Sequence, residues 1–153
     1  MAYASCSLVF FILTLCFVPK QCKLIPLYGT LMTAILAEFA VDAFLDFKYD
    51  LYGYFEKGVE YSGFLVSLGI FPLFNAIFLN LFPFGQSIVR KTVYIFYAIV
   101  FCVLYEQGAL HFGFLYYNGW KWWYSLLTYP LSLSFVAWNY IRLQKRVEYE
   151  HGT

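Results

Sequence analysis

Three acids recur at i, i+4 and i+8 inside one apolar run: Glu38, Asp42 and Asp46 in LYGTLMTAILAEFAVDAFLDF. That spacing puts all three on one face of a helix. The run is long enough to cross a bilayer, and a carboxylate at mid-bilayer costs about 2.5 kcal/mol or more on insertion scales, so the acids should face protein or water. Neighbouring carboxylates in a low dielectric do not both ionise without a compensating cation. Glu38 and Asp42 could therefore hold a proton, a metal ion or a basic ligand. The plainer alternative is structural: the acids accept hydrogen bonds from Tyr105, Tyr124 or Thr128 and tie helices together. Asp46, nearest the end of the run, could equally sit at the interface beside Lys48.

Two further stripes reach the same layer. Tyr94, Ala98, Cys102 and Glu106 form an i+4 series, and so do Tyr124, Thr128 and Ser132. Polar groups on packed transmembrane helices seek one another because lipid cannot satisfy them. The segment HFGFLYYNGWKWWYS reads first as an aromatic belt at a membrane interface, with Asn118-Gly119 as a turn. A sharper reading makes Lys121 a partner for Asp46 or Glu106, caged by Trp120, Trp122 and Trp123. His111 beside Glu106 suggests an acid–base pair, but one His and one Glu make neither a zinc motif nor a triad. Pro72, Asn75 and Asn80 predict a kinked third helix with polar contacts. Cys6, Cys16, Cys22 and Cys102 are scattered and read as apolar packing residues. No metal, cofactor or catalytic fingerprint appears.

These residues need helices to carry them. The 153 residues are 62% hydrophobic and 12% charged, with a mean hydropathy of +0.65. Soluble domains carry about twice that charged fraction. The reading is an all-α, multi-pass transmembrane helical bundle forming one domain of about five helices, near 4–18, 24–47, 61–81, 92–111 and 122–143. Ala34, Ala37, Ala40 and Ala43, opposite the acids, predict helix two at the centre of the bundle. Lys20, Lys23, Arg90, Lys91, Arg142, Lys145 and Arg146 would share one side, against Lys48, Lys57 and Lys121 on the other. The positive-inside rule then places the N-terminus outside and the C-terminus in the cytoplasm. A net charge of +1 gives no footprint for nucleic acid.

The stretches AEFAVDAFLDFKYDLYGYF, FLNLFPF and YEQGALHFGFLYYNGWKWWYSLLTYP resemble a family of small multi-pass membrane proteins of endospore-forming Gram-positive bacteria. The resemblance runs from the second helix onward and is most specific over Tyr105–Pro130. That family has no assigned activity, so the resemblance implies a bacterial plasma-membrane location and no catalytic residues. Three functional expectations follow. The first is a proton-, cation- or small-ligand-responsive binding or transport component, centred on Glu38, Asp42 and Glu106. The second is an accessory subunit whose acids are interhelical glue, working as a homo-oligomer or on a larger membrane partner. The third and weakest is a membrane-embedded enzyme using Glu106 and His111.

Overall fold

The computed structural model describes residues 2–54 and 66–151. Residues 61–65 of the predicted third helix, together with Glu56, Lys57 and Glu60, lie outside them. The chain is mostly helical. Among the described residues it forms α1 (Ala2–Phe17), α2 (Leu24–Asp42), β1 (Tyr52–Tyr54), α3 (Phe71–Leu81), α4 (Ile88–His111), β2 (Leu115–Tyr117) and α5 (Trp122–His151). A π-helical turn over Ala43–Lys48 continues α2, and another over Val66–Ile70 leads into α3.

Local chemistry explains most of these limits. Pro19 stops α1, and Pro26 occupies the first turn of α2, where its missing N–H is harmless. Pro72 lies in the first turn of α3, directly after the π-helical turn. Helix α4 ends in a Schellman motif. The Phe114 N–H donates to the Ala109 carbonyl at 2.8 Å, the Gly113 N–H donates to Leu110 at 3.2 Å, and Gly113 adopts φ +67°.

Three boundaries differ from expectation. Helix α4 starts at Ile88 rather than Thr92, and α5 continues to His151 rather than stopping at 143. The α5 extension is mostly polar, and the α4 extension includes Arg90 and Lys91. Arg, Lys, Gln and Glu are good helix formers, so the end of an apolar run is not the end of a helix. The extensions also carry i,i+4 pairs: Arg90 donates to Gln86, and Gln144 donates to Glu148 at 3.0 Å. The third difference is the π turn at Ala43, which cuts the regular helix short of Phe47.

Packing runs α1 on α3, α3 on α2, α2 on α5 and α5 on α4. Every residue from Asn75 to Asn80 is buried, so the short α3 is the innermost helix rather than α2. Ala34 packs in the core, but Ala40 and Ala43 are exposed, so the alanine ridge does not seat α2 at the centre. Phe78, Leu79, Leu133, Val136 and Tyr140 fill one half of the core. Ala4, Phe11, Ile77, Ala109 and Phe114 fill the other.

At one end, Asn80 Oδ1 accepts the Cys22 N–H at 3.1 Å, its Nδ2 donates to the Ala76 carbonyl at 2.9 Å, and Tyr140 Oη accepts the Lys23 N–H at 3.0 Å. At the opposite end β1 and β2 pair antiparallel, with Tyr52 opposite Tyr117. Two three-residue strands carry too little alternation to be read from sequence.

Leu24–Asp46 and Ile88–His111 are long and apolar enough to cross a membrane, and Ala2–Phe17 and Leu68–Leu81 are shorter apolar helices. Large apolar side chains such as Phe17, Leu36, Phe96, Leu104, Leu127 and Leu131 are exposed, while Asp42, Asn75, Asn80, Glu106 and Asn139 are buried.

Candidate functional site

Glu106 lies five residues from the end of α4 and is 6% exposed. Its Oε1 accepts from the Tyr117 hydroxyl and from Ser125 Oγ at 2.6 Å, and its Oε2 accepts from the Tyr129 hydroxyl at 2.9 Å. The Trp120 indole N–H donates to Ser125 Oγ at 3.0 Å, which orients that hydroxyl towards the acid. Ser125 and Tyr129 are i,i+4 on α5, while Tyr117 arrives on β2. Three separate elements therefore converge on one carboxylate.

Asp42 closes the regular part of α2 and is 8% exposed. Its Oδ1 accepts from the Tyr52 hydroxyl at 2.6 Å. Tyr52 and Tyr117 are directly paired across the β ladder, so one rung of the sheet delivers a phenol to each acid. Burial, then the adjoining Asp42 carboxylate, raises Tyr52 well above its ordinary 10.0. Burial and the hydrogen bond to Glu106 raise Tyr117 likewise. Both remain donors at neutral pH. The loop after β2 is pinned as well: the Asn118 and Trp120 N–H groups donate to the Leu51 carbonyl at 2.8 and 2.9 Å, and Asn118 Nδ2 donates to Asp50 Oδ2 at 2.7 Å.

Glu38, Asp42 and Glu106 all border one cavity of about 590 Å³, within the roughly 300–1,000 Å³ of small-molecule sites. Tyr105 and Thr128 also reach its wall. The Tyr105 ring packs on Phe11, with centroids 5.7 Å apart, and Thr128 Oγ1 donates to the Ser125 carbonyl at 3.2 Å. Asn75 faces the cavity from α3 at 2% exposure, and its Nδ2 has no hydrogen-bond partner among the described residues. The rest of the wall is mainly aromatic and aliphatic, and among the described residues no Lys, Arg or His is part of it.

Four predicted residues stand outside the wall. Asp46 lies half-buried in the π turn, and Leu45 rather than Asp46 is on the wall. Lys48 sits over the Phe44 and Tyr49 rings, 5.7 and 5.2 Å from their centroids. His111 is exposed at the end of α4 against Phe112, with ring centroids 5.2 Å apart. Five helical positions from Glu106 place it roughly 140° around the axis, too far round to act with that acid. Lys121 is exposed, and the tryptophan cage does not form, because Trp120 turns to Ser125 and stacks edge-on against Tyr52. Tyr124 packs between Trp120 and Trp123 and is not on the wall.

Among the described residues the donors that serve Asp42 and Glu106 are Tyr52, Tyr117, Ser125 and Tyr129, rather than Tyr105, Tyr124 or Thr128. On α5 the acid-facing pair is Ser125 and Tyr129, one position along from Tyr124 and Thr128, about 100° of helix rotation. The Ser125–Tyr129 spacing was visible in the sequence as a second i+4 series, but nothing local ranked it above its neighbour. Among the described residues no group of three His, Cys, Asp or Glu side chains is placed to hold a metal ion. No protein-family profile, curated protein or solved structure matches the chain.

Proposed function

We propose that this chain is a small multi-pass membrane protein that binds a small ligand at a cavity bounded by Glu38, Asp42 and Glu106. The observation that carries the reading is the cavity itself. Acids on two different helices border one space of about 590 Å³ instead of being packed shut. Buried carboxylates that served only as glue would be enclosed by their partners, because an unfilled polar void offsets what the hydrogen bonds contribute.

Exposed apolar side chains around buried acids and amides support a bilayer placement. So does the segregation of Lys and Arg towards the Asn80 end, where Lys23 pairs with Glu148 at 2.9 Å. The resemblance over Tyr105–Pro130 points to a bacterial plasma membrane, and the distribution of Lys and Arg favours the N-terminus outside and the C-terminus in the cytoplasm. His111 stands away from the cavity, so it does not pair with Glu106 as the enzyme reading supposes.

One observation favours the accessory-subunit reading. Glu106 is already served by three hydroxyl donors, as a structural acid would be. Asp42→Asn and Glu106→Gln separate the two. In nanodiscs, a binding site predicts variants that fold but no longer respond to the ligand or cation that raises the melting temperature of the wild type. Glue predicts loss of expression or of partner assembly, and no ligand response in any form.

A further inference from the structure

The cavity has a chemical polarity that narrows its ligand. Its acids and hydroxyls gather at the β-ladder end, where Asp42 closes α2 and Glu106 approaches the end of α4. Away from that end the wall is Phe71, Phe74, Leu133 and Val136. Carboxylates with no Lys, Arg or His among the described wall residues favour a positively charged guest. The unpartnered Asn75 amide, a donor facing the same space, calls for an acceptor oxygen on that guest.

The mouth has a direction too. Among the large apolar wall residues the most exposed are Val41 on α2, at 50%, and Leu131 and Phe135 on α5, at 73% and 40%. The opening therefore lies sideways between α2 and α5. It sits among exposed Leu36, Phe44 and Leu127, on the surface that would meet lipid.

We infer that the cavity takes a long-chain amine with an oxygen acceptor near its amino group, entering laterally from the bilayer between α2 and α5. The ammonium meets Asp42 and Glu106, the acceptor meets the Asn75 amide, and the chain lies along the apolar wall. This rests on the binding reading above and adds the ligand class and the route. A hydrated inorganic ion fits poorly, since so apolar a wall cannot replace its water. A fatty acid would bring a second anion to the carboxylates.

The test uses the full chain in phosphatidylcholine nanodiscs, with native mass spectrometry and stopped-flow tryptophan fluorescence. The probes are 2-amino-1-dodecanol, dodecylamine, dodecanol, dodecanoic acid and ethanolamine. The amino alcohol should bind saturably at one per chain, a few-fold tighter than dodecylamine and at least ten-fold tighter than the other three. Asp42→Asn should weaken both amines ten-fold or more, while Asn75→Leu should remove only the preference for the amino alcohol. Val41→Trp with Leu131→Trp should slow association several-fold and leave the bound complement unchanged. Equal binding of dodecanol or dodecanoic acid would overturn the amine assignment. An unchanged association rate in the portal variant would overturn the lateral route. If no amine binds but ethanolamine or an inorganic cation does so in an Asp42-dependent way, this inference fails and the broader binding reading survives. If no probe or cation binds a folded wild type, both fail.

Discussion

At the scale of single residues, the two buried asparagines of α3 offer a direct comparison. Asn80 uses its side-chain oxygen on the Cys22 N–H and its nitrogen on the Ala76 carbonyl. The Asn75 nitrogen has no partner among the described residues and faces the cavity. Replacing a polar group that leaves partners unpaired costs about 1–3 kcal/mol for each, whereas removing one that already lacks its bond costs little. Asn80→Leu should therefore destabilise by roughly 2–4 kcal/mol, and Asn75→Leu by less than about 1 kcal/mol, read from thermal melts of the ligand-free protein. Glu106 supplies a second contrast. Glu106→Ala strands the Tyr117, Ser125 and Tyr129 hydroxyls and should cost about 3 kcal/mol or more. Glu106→Gln keeps an acceptor oxygen and should cost less than half as much in the same melts.

At the scale of elements, the Schellman end of α4 aims β2, and with it Tyr117, at Glu106. Gly113 at φ +67° is the residue that permits the reversal. Gly113→Ala should destabilise by about 1 kcal/mol through the left-handed conformation alone, and hydrogen exchange should rise first in β1 and β2. At the other end, Lys23 and Gln144 hold the exposed Glu148 carboxyl below its ordinary 4.5. A lowered folded value means that the contribution is complete at neutral pH and is lost as pH falls through the carboxylate range. Glu148→Gln should thus lower the melting point slightly at pH 7, and the difference should vanish near pH 3 or in high salt. The same elements show what the sequence could convey. Apolar runs gave the helices, because burial and length are written in composition. The polar turns of α4 and α5 were trimmed, because charge does not prevent a helix. The π turn after Asp42 left no mark in the spacing, and Asp46, within that turn, is not on the cavity wall. The β ladder depends on a pairing 65 residues apart between Tyr52 and Tyr117, which local patterning cannot register.

At the scale of the whole molecule, acids and amides are buried beside the apolar core while many large apolar side chains are exposed, which fits the proposed bundle solvated by lipid. The proposed orientation makes a direct prediction. With the native cysteines replaced, a Cys at Gln86 should react with impermeant maleimide only from the cytoplasmic face, and a Cys at Gly119 only from the outer face. The reverse labelling would invert the topology. The central claim concerns the cavity: acids on α2 and α4 border a space built for a guest. The most direct measurement is native mass spectrometry of the protein purified from the membrane of its own cell, beside the Asp42→Asn, Glu106→Gln double variant. The account predicts one small molecule per wild-type chain, released on activation and absent from the folded double variant. Bare chains in both, or the same molecule retained by the double variant, would contradict it.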